Sequence, residues 1–276
     1  MKKPLILTGG KNAIIKTILE NIPPHHVYVE PYFGGGTVFF AKEPSEIEII
    51  NDIDDRLVTF YRVLQDEQKA KKLYRMILYT LYSDAEMRRA GEILMNKDKH
   101  SDLEVAYAVF VNINSNIRHE LNPRCKNVAL DYTKKGQSLT KVGKERILFA
   151  IERIKDAIIL NRDAIQIIEQ SDRPEVFMFL DPPYLNTSKF YTYDCDLDYH
   201  QRLLETLKNL KHAKFMITTF KNELYDKELA ECRRIEIERT CFVKCLPRRT
   251  VLKDATDKTR RDKRTEVIYM NYDLTK

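Results

Sequence analysis

Short apolar runs recur along the chain between stretches with helical spacing. Val27 to Glu30, Ile47 to Ile50, Ala157 to Leu160, Val176 to Leu180, Phe215 to Thr219 and Val267 to Asn271 are each only four or five residues long. Runs of that length, apolar without strict alternation, suit strands buried on both faces of a parallel sheet. Amphipathic stretches such as Arg56 to Leu64 fall between them. Strand and helix in alternation predict an α/β fold with a mostly parallel sheet and helices on both faces. Open sheets of this kind bind ligands beyond the carboxyl ends of their strands, so the residues just after each run are where chemistry is to be sought.

Between about Val63 and Lys144 the alternation stops. Charged helical stretches follow one another (Asp66 to Leu81, Asp84 to Met95, Leu103 to Val111), then a polar, turn-rich run from Asn112 to Gly143. The pattern predicts a catalytic domain made of residues 1–62 and 145–276, interrupted by a mainly helical insert, 63–144, of the size of a small domain. With 276 residues, 43% of them hydrophobic, the chain can bury one substantial core and still carry such an insert. Its apolar runs fall far short of the roughly 20 residues that span a bilayer, and no signal-peptide pattern opens it, which predicts a cytoplasmic protein. The five cysteines (125, 195, 232, 241 and 245) are scattered and form no C-x-x-C pair, so neither a disulfide framework nor a metal site is expected.

The net charge of +6 is concentrated: the segment from Lys244 to Arg264 alone carries +6, leaving the rest close to neutral. A basic loop on a neutral body suits a polyanion, because each phosphate it neutralises releases counterions. A solvated loop that touches nothing has the same composition.

Three motifs stand at strand ends. Glu30-Pro31-Tyr32-Phe33-Gly34-Gly35-Gly36-Thr37 follows the first run and precedes the helical-looking Val38 to Ala41. Consecutive glycines at such a junction let backbone approach a ligand and adopt positive φ, although a plain tight turn uses glycine too. Neither phosphate-cradling pattern is present. Asn51-Asp52-Ile53-Asp54 ends the second run; Asp52 is placed to accept from ribose hydroxyls, while Asp54 or Asp55 could cap the helix after it. Asp181-Pro182-Pro183-Tyr184 follows Val176 to Leu180. Paired prolines fix the backbone and remove two donors, so a carboxylate, rigid carbonyl acceptors and an aromatic ring converge there. That set fits a planar ring bearing an amino group; an ordinary proline turn would not require both the Asp and the Tyr.

Taken together, in order and spacing, these motifs resemble those of the Dam-type DNA adenine N6-methyltransferases, over nearly the whole chain. Gly9-Gly10-Lys11 resembles the family's opening G-G-K, and Asp163 in Asn161-Arg162-Asp163 the acid near the cofactor adenine. Further matches are Tyr193…His200, Lys221 to Asp226 and the closing Arg264-Thr265-Glu266…Asn271-Tyr272. Ala164 departs from the aromatic residue common after that acid, and Asn127 to Tyr132 departs from the N-V-P-[YF]-G turn of members that read GATC.

The resemblance implies a Rossmann-like sheet and S-adenosylmethionine as cofactor, held by Gly10, Lys11, Glu30, Phe33, Gly34, Gly35, Gly36, Thr37, Asp52, Asp163 and Asp181. It implies catalysis by Asp181, Pro182 and Tyr184 on the N6 amine of an adenine flipped from double-stranded DNA. The insert would recognise the target, with Arg118, Asn122, Arg124, Lys126 and Asn127 as donors to base edges. Lys134, Lys135, Lys141 and the basic cluster, including Arg248, Arg249, Arg260 and Arg261, would take phosphates. A monomer of bacterial or phage origin, with or without a cognate restriction endonuclease, completes the expectation. Transfer to a cytosine amine or to RNA, and a silent DNA-binding regulator, are the rival readings; Asp181 and the intact glycine turn weigh against them.

Overall fold

The computed structural model describes residues 2–116, 118–129, 139–185, 195–242 and 261–274. Seven strands form one sheet: β1 (Val27–Glu30), β2 (Ile47–Asn51), β3 (Ile158–Leu160), β4 (Val176–Leu180), β5 (Lys214–Phe220), β6 (Arg233–Phe242) and β7 (Arg261–Met270). Their order is β3-β2-β1-β4-β5-β7-β6. The first five run parallel, with Val27 of β1 in register with Ile47 on one side and Val176 on the other. β7 is antiparallel to both of its neighbours. The chain moves outward from β1 through β2 to β3, then returns to the opposite side of β1 with β4. The point where that direction reverses lies between β1 and β4, and beyond the carboxyl ends of those strands is where open α/β sheets place their ligand crevice. The sheet, flanked by helices, is the predicted Rossmann-like arrangement.

Nine α-helices accompany it among the described residues: α1 (Ile15–Glu20), α2 (Asp55–Gln65), α3 (Glu67–Leu78), α4 (Asp84–Met95), α5 (Asp102–Ser115), α6 (Leu139–Ile154), α7 (Ala164–Gln170), α8 (Leu197–Asn209) and α9 (Glu223–Glu228). Side-chain oxygens that accept from orphan backbone N–H groups fix where they start. Asp54, Asp66, Ser83, Asp163, Asp196 and Asn222 cap α2, α3, α4, α7, α8 and α9, and Ser101 with Glu104 forms a full capping box on α5.

On one face of the sheet, Tyr28, Phe39, Ile50 and Phe177 share a continuous apolar core with Leu73 of α3, Ile93 of α4, Phe110 of α5 and Ile147 of α6. The helices of the 63–144 region therefore rest on the sheet itself. The opposite face packs Met178, Leu180 and Ile217 against Ile165 and Ile168 of α7 and Leu203 and Leu204 of α8. Beneath the first core, Glu48 on β2 lies between Arg153 on α6, with its Nη2 2.7 Å from Oε1, and Lys42, at 2.6 Å. All three are nearly inaccessible, so this pairing bolts the chain where it returns to the sheet. No helix of the described residues is long and apolar enough to cross a membrane.

Two segments differ from expectation. Val38 to Ala41 forms turns rather than a helix, with Val38, Phe39 and Phe40 all buried, because that tripeptide offers no polar face. β6 escaped the apolar-run criterion: in Arg233-Arg234-Ile235-Glu236-Ile237-Glu238 the apolar residues alternate with charges, the period-2 signature of a strand with one wet face. Its partner β7 starts at Arg261, well before Val267. Arg261, Lys263 and Arg264 thus lie on a strand opposite Phe242, Thr240 and Arg239, not in a loop.

Candidate active site

The motifs after β1, β2 and β4 meet at the crevice. Within Glu30 to Gly36, Gly34 and Gly36 adopt φ of 48° and 61°, the left-handed region that side chains resist. A Cβ at Gly36 would come within 2.5 Å of the Phe33 ring, which is buried under the turn against Tyr61 and Phe39. A Cβ at Gly34 would meet nothing within 4 Å, so the space above that glycine is open. The turn is held from beneath by Tyr61, whose hydroxyl donates to the Gly34 carbonyl at 2.8 Å.

Asp52 reaches across from β2. Its Oδ2 accepts from Gly34 N at 2.7 Å and its Oδ1 from Asp54 N at 2.9 Å. Burial pushes this carboxyl up to about 6, against the pull of those N–H donors. Asp54 caps α2, so the two roles separate between the two aspartates. Asn51 ties three strand ends together, donating to the carbonyls of Pro31 and Arg162 at 3.0 Å each and accepting from Arg162 N. Asp163 spends Oδ1 on capping α7, through Ile165 N and Gln166 N.

At the centre is a compact charge cluster. Lys11 Nζ, on a side chain 3% exposed, lies 2.7 Å from Asp181 Oδ2 and 3.6 Å from Glu266 Oε1, and donates to the Gly9 carbonyl at 2.8 Å. Thr218 on β5 donates to Asp181 Oδ1 at 2.9 Å. Tyr184 is buried, donates its hydroxyl to Glu266 Oε1 at 2.8 Å, and meets Phe220 edge-on at 4.6 Å between centroids. Lys11 also stands 4.9 Å from the Tyr184 ring centre. Burial raises the Asp181 carboxyl; Lys11 opposes the rise and Glu266 adds to it. Glu30, hydrogen-bonded to Tyr28 OH at 2.7 Å, is pushed up to about 8 by burial, with Asp181 contributing. Lys3 falls to about 8 through burial and the nearby Lys11, and it donates to Thr37 Oγ1 at 2.8 Å. Gly10 makes room for it, since a Cβ there would stand 2.6 Å from Lys3 Nζ.

Residues from five places in the sequence thus meet at one point. Glu266, Thr218 and Lys3 were absent from the expected set. Glu266 had a signal in the closing Arg264-Thr265-Glu266 match; the other two had none, because each only supports a neighbour.

The residues expected to read base edges lie on the loop after α5. Asn112, fully buried, grips Asn122 through both backbone groups, at 2.8 and 2.9 Å. Asn116 accepts from Arg118 N, Tyr82 donates to the Ala129 carbonyl, and Asp84 accepts from Val128 N. Pro123 comes so close to α4 that a Cβ on Gly91 would meet its carbonyl at 2.3 Å. The Asn122 side chain is turned inward to its own loop, accepting from Arg124 N at 3.1 Å, and Arg118 pairs with Glu120 at 3.6 Å. Arg124, Lys126 and Asn127 are exposed. Thr8 N donates to the His119 carbonyl at 2.8 Å, joining this loop to the turn that precedes Lys11. Lys134, Lys135, Arg248, Arg249 and Arg260 lie outside the described residues.

Known proteins point the same way. The chain is 26% identical to the type II methyltransferase M.MjaIII of Methanocaldococcus jannaschii over 298 aligned residues, covering 96% of each protein. It is 26% identical to the type II methyltransferase M.CviBI of Paramecium bursaria Chlorella virus NC1A, over 81% of this chain and 86% of that one. The same identity links it to the DNA N-6-adenine-methyltransferase of Escherichia phage P1, over 76% of this chain but only 28% of the phage protein, which is much longer. Residues 8–241 match a family description that takes in the glycine turn, the Asp52 strand end and Asp181 to Tyr184. The chain belongs to the D12 class of N6 adenine-specific DNA methyltransferases.

Proposed function

We propose that this protein transfers a methyl group from S-adenosylmethionine to the N6 amine of an adenine turned out of double-stranded DNA, with Asp181 and the Pro182 carbonyl as the groups that take the amine. The observation that carries this reading is the fixing of Asp181 by Lys11 and Thr218 at the reversal point of the sheet, one oxygen on each. A carboxylate has about four lone-pair sites, so each oxygen can still accept one N–H.

The adenine amine is a poor nucleophile because its lone pair is delocalised into the ring. Acceptors at Asp181 and Pro182 draw its hydrogens out of the ring plane and localise that pair on nitrogen. S-adenosylmethionine, when bound, supplies the electrophilic methyl on its sulfonium. Gaining that methyl would leave the nitrogen with a proton to lose, and the demethylated cofactor, S-adenosylhomocysteine, would depart as the neutral thioether. The buried Asp181, its carboxyl already raised, takes the proton that nitrogen must lose. Positioning and charge placement supply most of the acceleration.

The crevice suits the cofactor. Gly34 to Gly36 give it open backbone, Asp52 retains lone pairs for ribose hydroxyls, and Lys11 suits its carboxylate. A target base inside a duplex is out of reach of this crevice, so it must be flipped. The 63–144 region would choose the sequence through Arg124, Lys126 and Asn127, and the basic segment around Arg248 to Arg261 would hold phosphates. The type II names of two relatives support a cognate restriction endonuclease as partner. Incubating the protein with duplex DNA and isotopically labelled cofactor tests the core of the reading: labelled N6-methyladenine is the expected product, and label in cytosine or in RNA alone would refute it.

A further inference from the structure

The first turn of α8 touches both motif loops, and neither contact is used by the chemistry above. Tyr199 OH lies 2.7 Å from Tyr32 OH, in the glycine turn. The next residue, His200, is fully buried; its Nδ1 lies 2.8 Å from Tyr225 OH, and its Nε2 is buried with no well-formed hydrogen bond. The backbone of Pro183 is the polar group that acts on this ring. Proline has no N–H, so that backbone can present only a carbonyl, and only a protonated Nε2 can meet it favourably. With the proton on Nε2, Nδ1 is an acceptor and Tyr225 OH its donor. Burial lowers the pKa of the ring, which keeps it in this neutral, single-donor form at neutral pH. Tyr225 in turn packs against Tyr269, whose hydroxyl donates to Asp226 at 2.7 Å, so the support behind His200 runs back to β7.

We propose that Tyr199 and His200 form a positioning clasp, in which His200 Nε2–H is the donor that holds the Pro183 carbonyl, while Tyr199 holds the glycine turn through Tyr32. Holding the Pro183 carbonyl orients the peptide between Pro183 and Tyr184. Because the Pro183 ring fixes φ, ψ is the one soft torsion between that peptide and the one bearing the Pro182 carbonyl, so restraining it at both ends sets where the Pro182 carbonyl points. The orphaned Nε2 is the donor reserved for that contact. The inference rests on Asp181 and Pro182 taking the amine.

The test uses the full chain with duplex DNA and compares His200→Asn with His200→Gln. Asparagine keeps a polar group at the Nδ1 position and deletes the donor at Nε2; glutamine places an N–H near the Nε2 position. A misplacement of about 1 Å at a reacting group costs on the order of 100-fold in rate. Single-turnover methyl transfer should therefore fall by about 10- to 100-fold in His200→Asn and recover to within a few-fold in His200→Gln. Cofactor affinity by calorimetry should stay within about threefold in both, because the contact is not to the cofactor. Equal rates in the two variants, whether both normal or both impaired, would overturn the clasp. If His200→Asn does not fold, Tyr225→Phe decides: it keeps the packing but frees Nδ1 to take the proton, and a wild-type rate in that variant would also overturn it. Asp181→Ala separates the two ideas. Retained transfer there would defeat the assignment of Asp181 and Pro182, whereas a dead Asp181→Ala beside a fully active His200→Asn defeats the clasp alone.

Discussion

Lys11 and Arg124 are both basic residues at candidate sites, and they live in opposite surroundings. Lys11 is 3% exposed, wedged between Asp181 and Glu266, and Lys11 and Glu266 act in opposite senses on the Asp181 carboxyl, Lys11 lowering its pKa and Glu266 raising it. Arg124 stands in solvent on a loop whose backbone, not whose charge, is fastened by Asn112, Asn116, Tyr82 and Asp84. Removing one partner from a buried charge group strands the others and costs several kcal/mol, whereas an exposed charge contributes little to stability. The crevice is therefore stiff and intolerant of change, while the loop is a fixed platform with replaceable ends. That division suits a protein whose chemistry is constant and whose target sequence varies.

The sharpest way to break the contrast is Asp181→Ala. Single-turnover transfer should fall by about 100-fold or more, as for removal of a group that acts mainly in the transition state, with cofactor affinity by calorimetry largely kept. Near-normal turnover would move the amine-binding role elsewhere. Next comes Asp52→Ala. Loss of a charge-assisted hydrogen bond to the ribose should weaken cofactor binding by about 1.5–3 kcal/mol. Because Gly34 N and Asp54 N lose their acceptor as well, the melting temperature should fall too. A drop in melting temperature with unchanged affinity would leave Asp52 a purely structural tie.

Replacing Arg248, Arg249, Arg260 and Arg261 by Ala should weaken target and non-target duplexes alike. It should also flatten the plot of log affinity against log salt by roughly 0.9 for each phosphate no longer neutralised. An unchanged slope, or a weakening confined to the cognate site, would reassign these arginines. Arg124→Ala should do the reverse, costing about 1–3 kcal/mol on the cognate duplex only, with melting temperature unmoved.

A pH dependence of stability probes the buried side of the same contrast. Glu30 titrates at about 8 in the folded protein against an ordinary 4.5, so the folded state binds more protons than the unfolded state in that window. Stability must then fall as pH rises from about 4.5 towards 8. Asp52, raised from 3.8 to about 6, adds the same sign over its lower window. Glu30→Gln should be less sensitive across this range and the more stable protein above pH 8; parallel melting curves for the two would contradict the burial of that carboxyl.

Much of this was legible in the residues. Five of the seven strands announced themselves as apolar runs at nearly their final limits, since a strand buried on both faces has few polar positions to hide it. β6 was missed because this sheet edge carries charges that read as loop, and β7 was begun too late because its charged first residues, Arg261 to Arg264, pair with β6 beyond the reach of β5. Asp181, Asp52 and Lys11 were visible in short motifs. What the motifs could not show is that Lys11 would lie against Asp181, since that pairing joins the first and fourth strand regions through tertiary packing. Nor could they show that the Asn122 side chain turns inward, which depends on the grip of Asn112 on its backbone.

The place of β7 has a consequence for how the protein is made. β7, the last of the seven sheet strands in chain order, slots between β5 and β6, both of which are synthesised before it. Until residues 261–270 emerge, β5 and β6 each present an unpaired edge, the kind of surface on which nascent chains aggregate or recruit chaperones. Glu266, the acceptor of Tyr184 OH, arrives on that same strand. Completion of the sheet and completion of the buried charge cluster are thus a single event, and a chain cut short before residue 261 would lack both.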